Sequence, residues 1–187
     1  MISFDYIQNY FEKIDHNEVR IFEYGSGGSS YYFLNHCKQL VSVEHDEEWF
    51  NILSKKKIQC STKWDYKLIP PKYVEKRDLN CSDPSHYSSC YSGYELFSFS
   101  AYVMEIENYP DEYFDLILVD GRSRVSCLKH ARKKVKKGGL LVLDNADRDR
   151  YFKFLILDEK EFKLIVNHFG ALTCSKSFVK TNIYIKQ

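Results

Sequence analysis

Val19 to Asp46 reads V-R-I-F-E-Y-G-S-G-G-S-S-Y-Y-F-L-N-H-C-K-Q-L-V-S-V-E-H-D, and no other stretch limits the possible folds as tightly. An apolar run ends in Glu23, a turn carries Gly25, Gly27 and Gly28, a helix-length segment follows, and a second apolar run ends in Glu44. This order predicts a strand-turn-helix-strand unit. Parallel strands need a crossover of this kind, so the unit also predicts a parallel sheet.

Missing side chains let backbone N–H groups at a helix start approach a ligand closely. Glu44, nineteen residues after Gly25, falls at the tip of the second strand, where a carboxylate accepts ribose hydroxyls in such sheets. A nucleoside-containing ligand follows. The dinucleotide fingerprint G-x-G-x-x-G asks for glycine at position 30, and Ser30 stands there, which disfavours NAD. Glu23 in E-Y-G-S-G has the charge to meet the ammonium group of a bound amino acid. An acid followed by G-x-G resembles the first motif of the Rossmann-like (class I) S-adenosylmethionine-dependent methyltransferases. The resemblance implies S-adenosylmethionine as cofactor, bound by Glu23, Tyr24, Gly25, Ser26, Gly27, Glu44, His45 and Asp120. A tight turn that binds nothing is the alternative reading of the glycines.

The 187 residues, 44% of them hydrophobic, suit a single domain over 1–187 with a substantial core and no separate substrate domain. A net charge of +1 gives no reason to expect a nucleic-acid partner, so a small-molecule acceptor is the default. The N-terminus lacks the apolar core of a signal peptide and no stretch is long enough to span a bilayer. No membrane partner is expected. The cysteines at 37, 60, 81, 90, 127 and 174 form no C-x-x-C pair and read as reduced thiols in a cytoplasmic protein. Oligomeric state is not legible.

Phe4, Ile7, Phe11 and Ile14 recur at helical spacing and predict a first helix over about 1–14. Ser29 or Ser30 is expected to cap a helix with Phe33, Leu34 and Cys37 inward, and Asp46 a helix through Lys57 with Trp49, Phe50 and Leu53 inward. A short third strand covers Tyr66 to Ile69, ended by Pro70-Pro71. From Pro71 to about Tyr94 periodicity is lost among tyrosines and serines, and the segment reads as an irregular insertion, functional or an ordered cover. Cys81, His86 and Cys90 there match no common zinc-finger spacing.

Phe97 to Ile106 reads as helix, and F-D-L-I-L-V-D over Phe114 to Asp120 as a central parallel strand covered on both faces. The next helix is expected to turn Val125, Leu128, Ala131 and Val135 inward and to end in K-K-V-K-K-G-G. Leu140 to Asp144 is a fifth strand and Asp147 to Leu157 a helix. Phe162 to Phe169 and Phe178 to Lys186 are joined by a segment too short for a crossover, so they form an antiparallel hairpin. The fold expected is α/β: a doubly wound, mostly parallel seven-stranded sheet with an antiparallel C-terminal hairpin and helices on both faces.

F-D-L-I-L-V-D-G-R and G-G-L-L-V-L-D-N stand in the order and spacing of the later methyltransferase motifs, and V-D-G-R-S-R with L-D-N is similar to small-molecule O-methyltransferases. In the catechol and caffeoyl-coenzyme A type, the matching positions bind a divalent metal. The resemblance thus implies a possible Mg²⁺ site at Asp120, Asp144 and Asn145, with Asp120 and Arg122 catalytic; a helix cap is the alternative at Asp144-Asn145. The lysine that serves as base in that type is replaced by Ser123, flanked by Arg122 and Arg124, and arginine is a poor base. Either a metal or a carboxylate then takes the proton, or the arginines bind an anionic substrate. A binding module without chemistry and an aminopropyl transferase remain the alternative functions.

Overall fold

The structure, a computed structural model, describes residues 2–57, 62–75, 79–154, 156–171 and 178–187. Helix α1 (Ile2–Phe11) leads into β1 (Arg20–Tyr24), and α2 (Gly28–Leu34) connects β1 to its parallel neighbour β2 (Gln39–Glu44). Helix α3 (Glu47–Lys57) then leads to β3 (Trp64–Leu68). The short strands β4 (Lys72–Tyr73) and β5 (Phe97–Ser98) pair antiparallel at the base of the irregular segment. Helix α4 (Ser100–Met104) runs on into a single 3-10 turn, Glu105–Asn108. There follow β6 (Phe114–Val119), α5 (Arg124–Lys134), β7 (Val135–Leu143), β8 (Phe162–Ala171) and β9 (Phe178–Lys186).

One seven-stranded sheet has the order β3-β2-β1-β6-β7-β9-β8, parallel through β7 and antiparallel at both contacts of β9. The apolar runs and the final hairpin therefore form as the sequence predicts. Strand residues alternate between two cores. Ile21, Leu40, Leu116 and Leu140 face Ile7 and Phe11 of α1, Phe33 of α2 and Leu53 of α3. Phe22, Tyr24, Phe114 and Leu141 face Tyr102 and Val103 of α4 and Val125, Leu128 and Ala131 of α5. The Phe22 ring meets Tyr24 at 4.8 Å and Phe114 at 5.3 Å, edge to face, so truncating it to alanine costs about 3–5 kcal/mol. Register then sets the site: Tyr24 stands level with Val43 and Val119, and Val119 with Leu143, so all four strand tips open on one edge.

Several local expectations change. The N-cap of α2 is Gly27, and Ser30 acts from the third helical position by accepting the Gly27 N–H at 3.0 Å. Asp46 does accept the Trp49 N–H at 2.9 Å and Leu53 is buried, but the Trp49 ring is exposed and donates to the Ser26 carbonyl at 2.8 Å. Phe97 and Ser98 are claimed by pairing with β4, so the helix expected there starts only at Ser100. Helix α5 ends at Lys134, not at Gly138, because Val135 is fully buried and already pairs with Phe114; Gly138, at φ +77, sits within β7 instead. The cations of that run are matched by acids, Lys134 by Glu107 and Asp111 and Lys136 by Asp115. Within Asp147–Leu157 only Asp149–Phe152 makes a 3-10 turn, where a longer helix was expected. Cys81 and Cys90 form a disulfide, correcting the expectation of reduced thiols and excluding both sulfurs from a zinc site. Cys37 and Cys127 are free and buried, while Cys60 and Cys174 lie outside the described residues. Among the described residues no helix is long and apolar enough to cross a membrane.

Candidate functional site

The strand tips are stitched together by backbone bonds. Gly25 N–H donates to the Val43 carbonyl at 2.9 Å, Asp120 N–H to Tyr24 at 3.0 Å, and Asp144 N–H to Val119 at 3.2 Å. Gly25 adopts φ +87, and a Cβ there would lie 3.0 Å from the Gly121 backbone, so the β1 and β6 turns touch only because both residues are glycines.

Two carboxylates support the glycine turn from below. Glu44, nearly buried at the β2 tip, accepts the Ser26 N–H at 3.1 Å, the Ser26 hydroxyl at 2.9 Å, and the N–H groups of His45 and Asp46 at 2.8 and 3.0 Å. His45 Nδ1 lies 2.7 Å from Glu44 Oε1, close enough for an ion pair although not aligned for a hydrogen bond. Burial alone would raise the Glu44 pKa; His45, the Asp46 N–H and the Ser26 hydroxyl outweigh it and hold the carboxyl below its usual range. Glu23 is fully buried and accepts hydroxyls from Ser29 at 3.1 Å, Ser42 at 2.6 Å and Ser30. Burial pushes Glu23 up to about 7 against those hydroxyls. An ammonium group therefore finds no open face on Glu23, which instead braces the turn; this corrects the direct contact read from the sequence. The Tyr24 side chain points to the opposite face of the sheet and donates to the Val103 carbonyl at 2.7 Å, so only its backbone lies at the turn.

Asp120 leaves β6 toward a cavity of about 320 Å³, which it shares with Gly28 and Ser29 of the turn, Asp144, Thr181 and apolar side chains that include Ile7 and Val142. Arg124, itself 7% exposed, reaches back to it: Nη2 lies 3.0 Å from Asp120 Oδ1, Nε donates to the Gly121 carbonyl at 3.0 Å, and Nη1 donates to the Asp144 carbonyl. Thr181 of β9 donates to Asp144 Oδ1 at 2.8 Å. Solvent still reaches Asp120, whose side chain is 45% exposed. Its carboxyl is nonetheless pushed upward, because surrounding protein disfavours the charge and Asp144 adds to the rise, while Arg124 opposes it.

Arg122 points elsewhere. Its guanidinium lies 3.8 Å over the ring of Tyr91 and 5.8 Å from that of Tyr94, so Arg124, not Arg122, is the cation at Asp120. Described residues of the irregular segment lie against this edge. Tyr94 packs 5.6 Å from the His45 ring, Tyr87 reaches His130 at 3.3 Å, and Tyr73 stays exposed.

No protein-family model matches the chain, and no curated protein matches it in sequence. Solved structures do match in shape. An rRNA methylase from Streptococcus thermophilus superposes with a TM-score of 0.63 at 10% identity over 96% of this chain and 93% of that one. The chain has the fold of the class I methyltransferases. The N-methyltransferase NodS from Bradyrhizobium japonicum, in complex with S-adenosylhomocysteine, gives 0.54 at 12% identity over 96% of this chain and 86% of that one. The tRNA (m1A58) methyltransferase TrmI from Aquifex aeolicus gives 0.56 at 16% identity over 97% and 67%. In this fold the tips of β1, β2, β6 and β7, which carry Gly25, Glu44, Asp120 and Asp144, lie along the carboxyl edge of the sheet.

The Mg²⁺ site suggested by Asp120, Asp144 and Asn145 does not fit the residues. The Arg124 guanidinium already bridges the two aspartates, 3.0 Å from Asp120 Oδ1 and 3.8 Å from Asp144 Oδ2, and puts a positive charge where a cation would sit. Asn145, at φ +50, turns the chain out of β7. The residues that sequence reasoning missed are Arg124 as a partner of both aspartates, Ser42 beneath Glu23, and Thr181. Arg124 carried a signal, since it follows Asp120 by one helical turn.

Proposed function

We propose that this protein is an S-adenosylmethionine-dependent methyltransferase that methylates an oxygen of a small molecule. The observation that carries the reading is the cavity in which Gly28 and Ser29 face Asp120, a carboxyl held by Arg124 and pushed upward by burial and by Asp144. A carboxylate with a raised pKa suits the abstraction of a proton from a hydroxyl. The turn fits the cofactor, because a Cβ added at Gly27 or Gly28 would meet nothing within 4 Å, which leaves both backbones open to a ligand. Glu44 holds the Ser26 N–H and hydroxyl at the β2 tip and so fixes the turn that the cofactor would meet.

When bound, S-adenosylmethionine supplies an electrophilic methyl on a sulfonium. Asp120 in its ionised form takes the acceptor's proton, and Arg124, which stays charged, holds that carboxylate in one orientation. Ile7, Phe33, Leu118 and Val142 line the cavity with apolar surface that excludes water and meets the non-polar part of the acceptor. The cavity volume and the near-neutral charge of the chain favour a small acceptor over a polymer.

Calorimetric titration tests the cofactor. Binding of S-adenosylhomocysteine without binding of NAD is the expected result, and the reverse overturns the proposal. Incubation of methyl-labelled cofactor with a metabolite extract then tests transfer, with a labelled product and released S-adenosylhomocysteine expected. Cofactor binding with no transferred label would leave a binding module.

A further inference from the structure

A second cavity, of about 270 Å³, is lined by Arg124, the partner of Asp120. Its lining contains Arg122, Arg124, Arg148 and Arg150 and neither aspartate nor glutamate. Arg124 is neutralised by Asp120, but among the described residues no carboxylate pairs with Arg122, Arg148 or Arg150. Aromatic groups hold these three in place instead. Arg122 stacks 3.8 Å over Tyr91, Arg150 lies 5.2 Å from the Tyr151 ring, and Arg148 donates to the Tyr151 hydroxyl at 2.9 Å. Ring contacts of this kind orient a guanidinium without cancelling its charge.

The cavity also carries unmet hydrogen-bonding capacity. The hydroxyls of Ser88 and Ser123, residues only 4% and 5% exposed, have no hydrogen-bond partner, and neither has the buried Nε of Arg122. Buried polar groups without partners are costly and rare, so their convergence with three unpaired cations implies an absent anion. Guanidinium groups match the oxygens of a phosphate two at a time, and several around one cavity suit a dianion better than a single negative charge.

We propose that Arg122, Arg148, Arg150, Ser88 and Ser123 form a binding pocket for a phosphate monoester. The volume admits a phosphate and the few atoms that bear it. Assigning this group to the methyl acceptor rests on the function proposed above; the binding of phosphate does not.

Titration of the intact protein with inorganic phosphate at fixed ionic strength tests the pocket. Saturable binding is expected, with each of Arg148→Ala and Arg150→Ala weakening it about tenfold or more, as loss of a hydrogen bond to a charged group implies. Ser88→Ala, which removes one hydroxyl and no charge, should weaken it by a smaller factor, and thermal melts confirm that each variant folds. Glycerol 3-phosphate should displace phosphate and glycerol should not. Absence of saturable binding, or equal binding by wild type and both arginine variants, overturns the pocket. Displacement by a hydroxyl-ended hexauridylate but not by glycerol 3-phosphate overturns the monoester assignment in favour of a polynucleotide backbone. Phosphate binding with no response to S-adenosylhomocysteine would sink the methyltransferase reading and leave the pocket standing.

Discussion

Arg124 Nη2 lies 3.0 Å from Asp120 Oδ1, on the side of the carboxylate that also faces Asp144. The chain thus supplies its own cation at the point where related sequence patterns suggest a metal. In Arg124→Ala the two aspartates lose that bridge, and because Asp120 is partly solvated the cost should be about 2 kcal/mol, below that of a fully buried pair. The melting temperature of the wild type should not respond to Mg²⁺ or to a chelator, whereas that of Arg124→Ala should rise with Mg²⁺. A Mg²⁺-dependent shift in the wild type that Asp144→Ala removes would restore the metal site.

Asp120 works as a base only when ionised. With its carboxyl pushed above the usual carboxylate range, kcat/KM should climb as pH rises through that raised pKa and level off above it. Asp120→Asn removes the base and should lower kcat by about 10²–10⁴-fold with S-adenosylhomocysteine affinity little changed. A flat profile between pH 5.5 and 8.5 would remove Asp120 from the proton transfer.

Glu23 gives stability an unusual pH dependence. Its carboxyl titrates at about 7 in the folded chain and near 4.5 when unfolded, so between these values the folded state holds a proton that the unfolded state has released. Its contribution is full below about pH 4.5 and falls as pH rises through 7, by a total on the order of 3 kcal/mol. Glu23→Gln should therefore gain stability relative to wild type between pH 5 and pH 8 in chemical denaturation. Parallel curves for the two proteins across that range would show that the buried carboxyl stays charged throughout.

Gly25 and Gly27 should behave differently although they are two residues apart. Gly25→Ala forces a side chain into φ +87 against the Gly121 backbone and should cost about 1–3 kcal/mol. Gly27 has an extended backbone and open space at its Cβ, so Gly27→Val should fold with near wild-type stability yet fail to bind S-adenosylhomocysteine. Unimpaired binding by Gly27→Val would mean that no ligand approaches the turn there.

The strands were legible because burial on both faces leaves an apolar run, as at Leu116 to Val119, and because the segment between β8 and β9 is too short for a crossover. The ends of α5 and α4 were not, because they are set by distant pairing: Val135 with Phe114, and Phe97 with Tyr73. The glycine turn and Glu44 were placed by spacing along the chain. How Glu23 is held was not, since it depends on Ser42 and Ser30 closing around it from two elements. Arg148, Arg150 and the disulfide of Cys81 with Cys90 were silent for the same reason, their meaning residing in a cavity assembled from three separate segments.

Both tryptophans of the chain touch the two carboxylate networks. The Trp49 indole donates to Ser26, whose N–H and hydroxyl reach Glu44, and the Trp64 indole donates at 2.7 Å to Ser42, whose hydroxyl reaches Glu23. Trp49 is 42% exposed and Trp64 is buried, so their emission falls at different wavelengths. The intrinsic fluorescence of the native protein is accordingly a two-colour optical readout of the turn: the red edge follows whatever displaces Ser26, and the blue edge follows the protonation of Glu23.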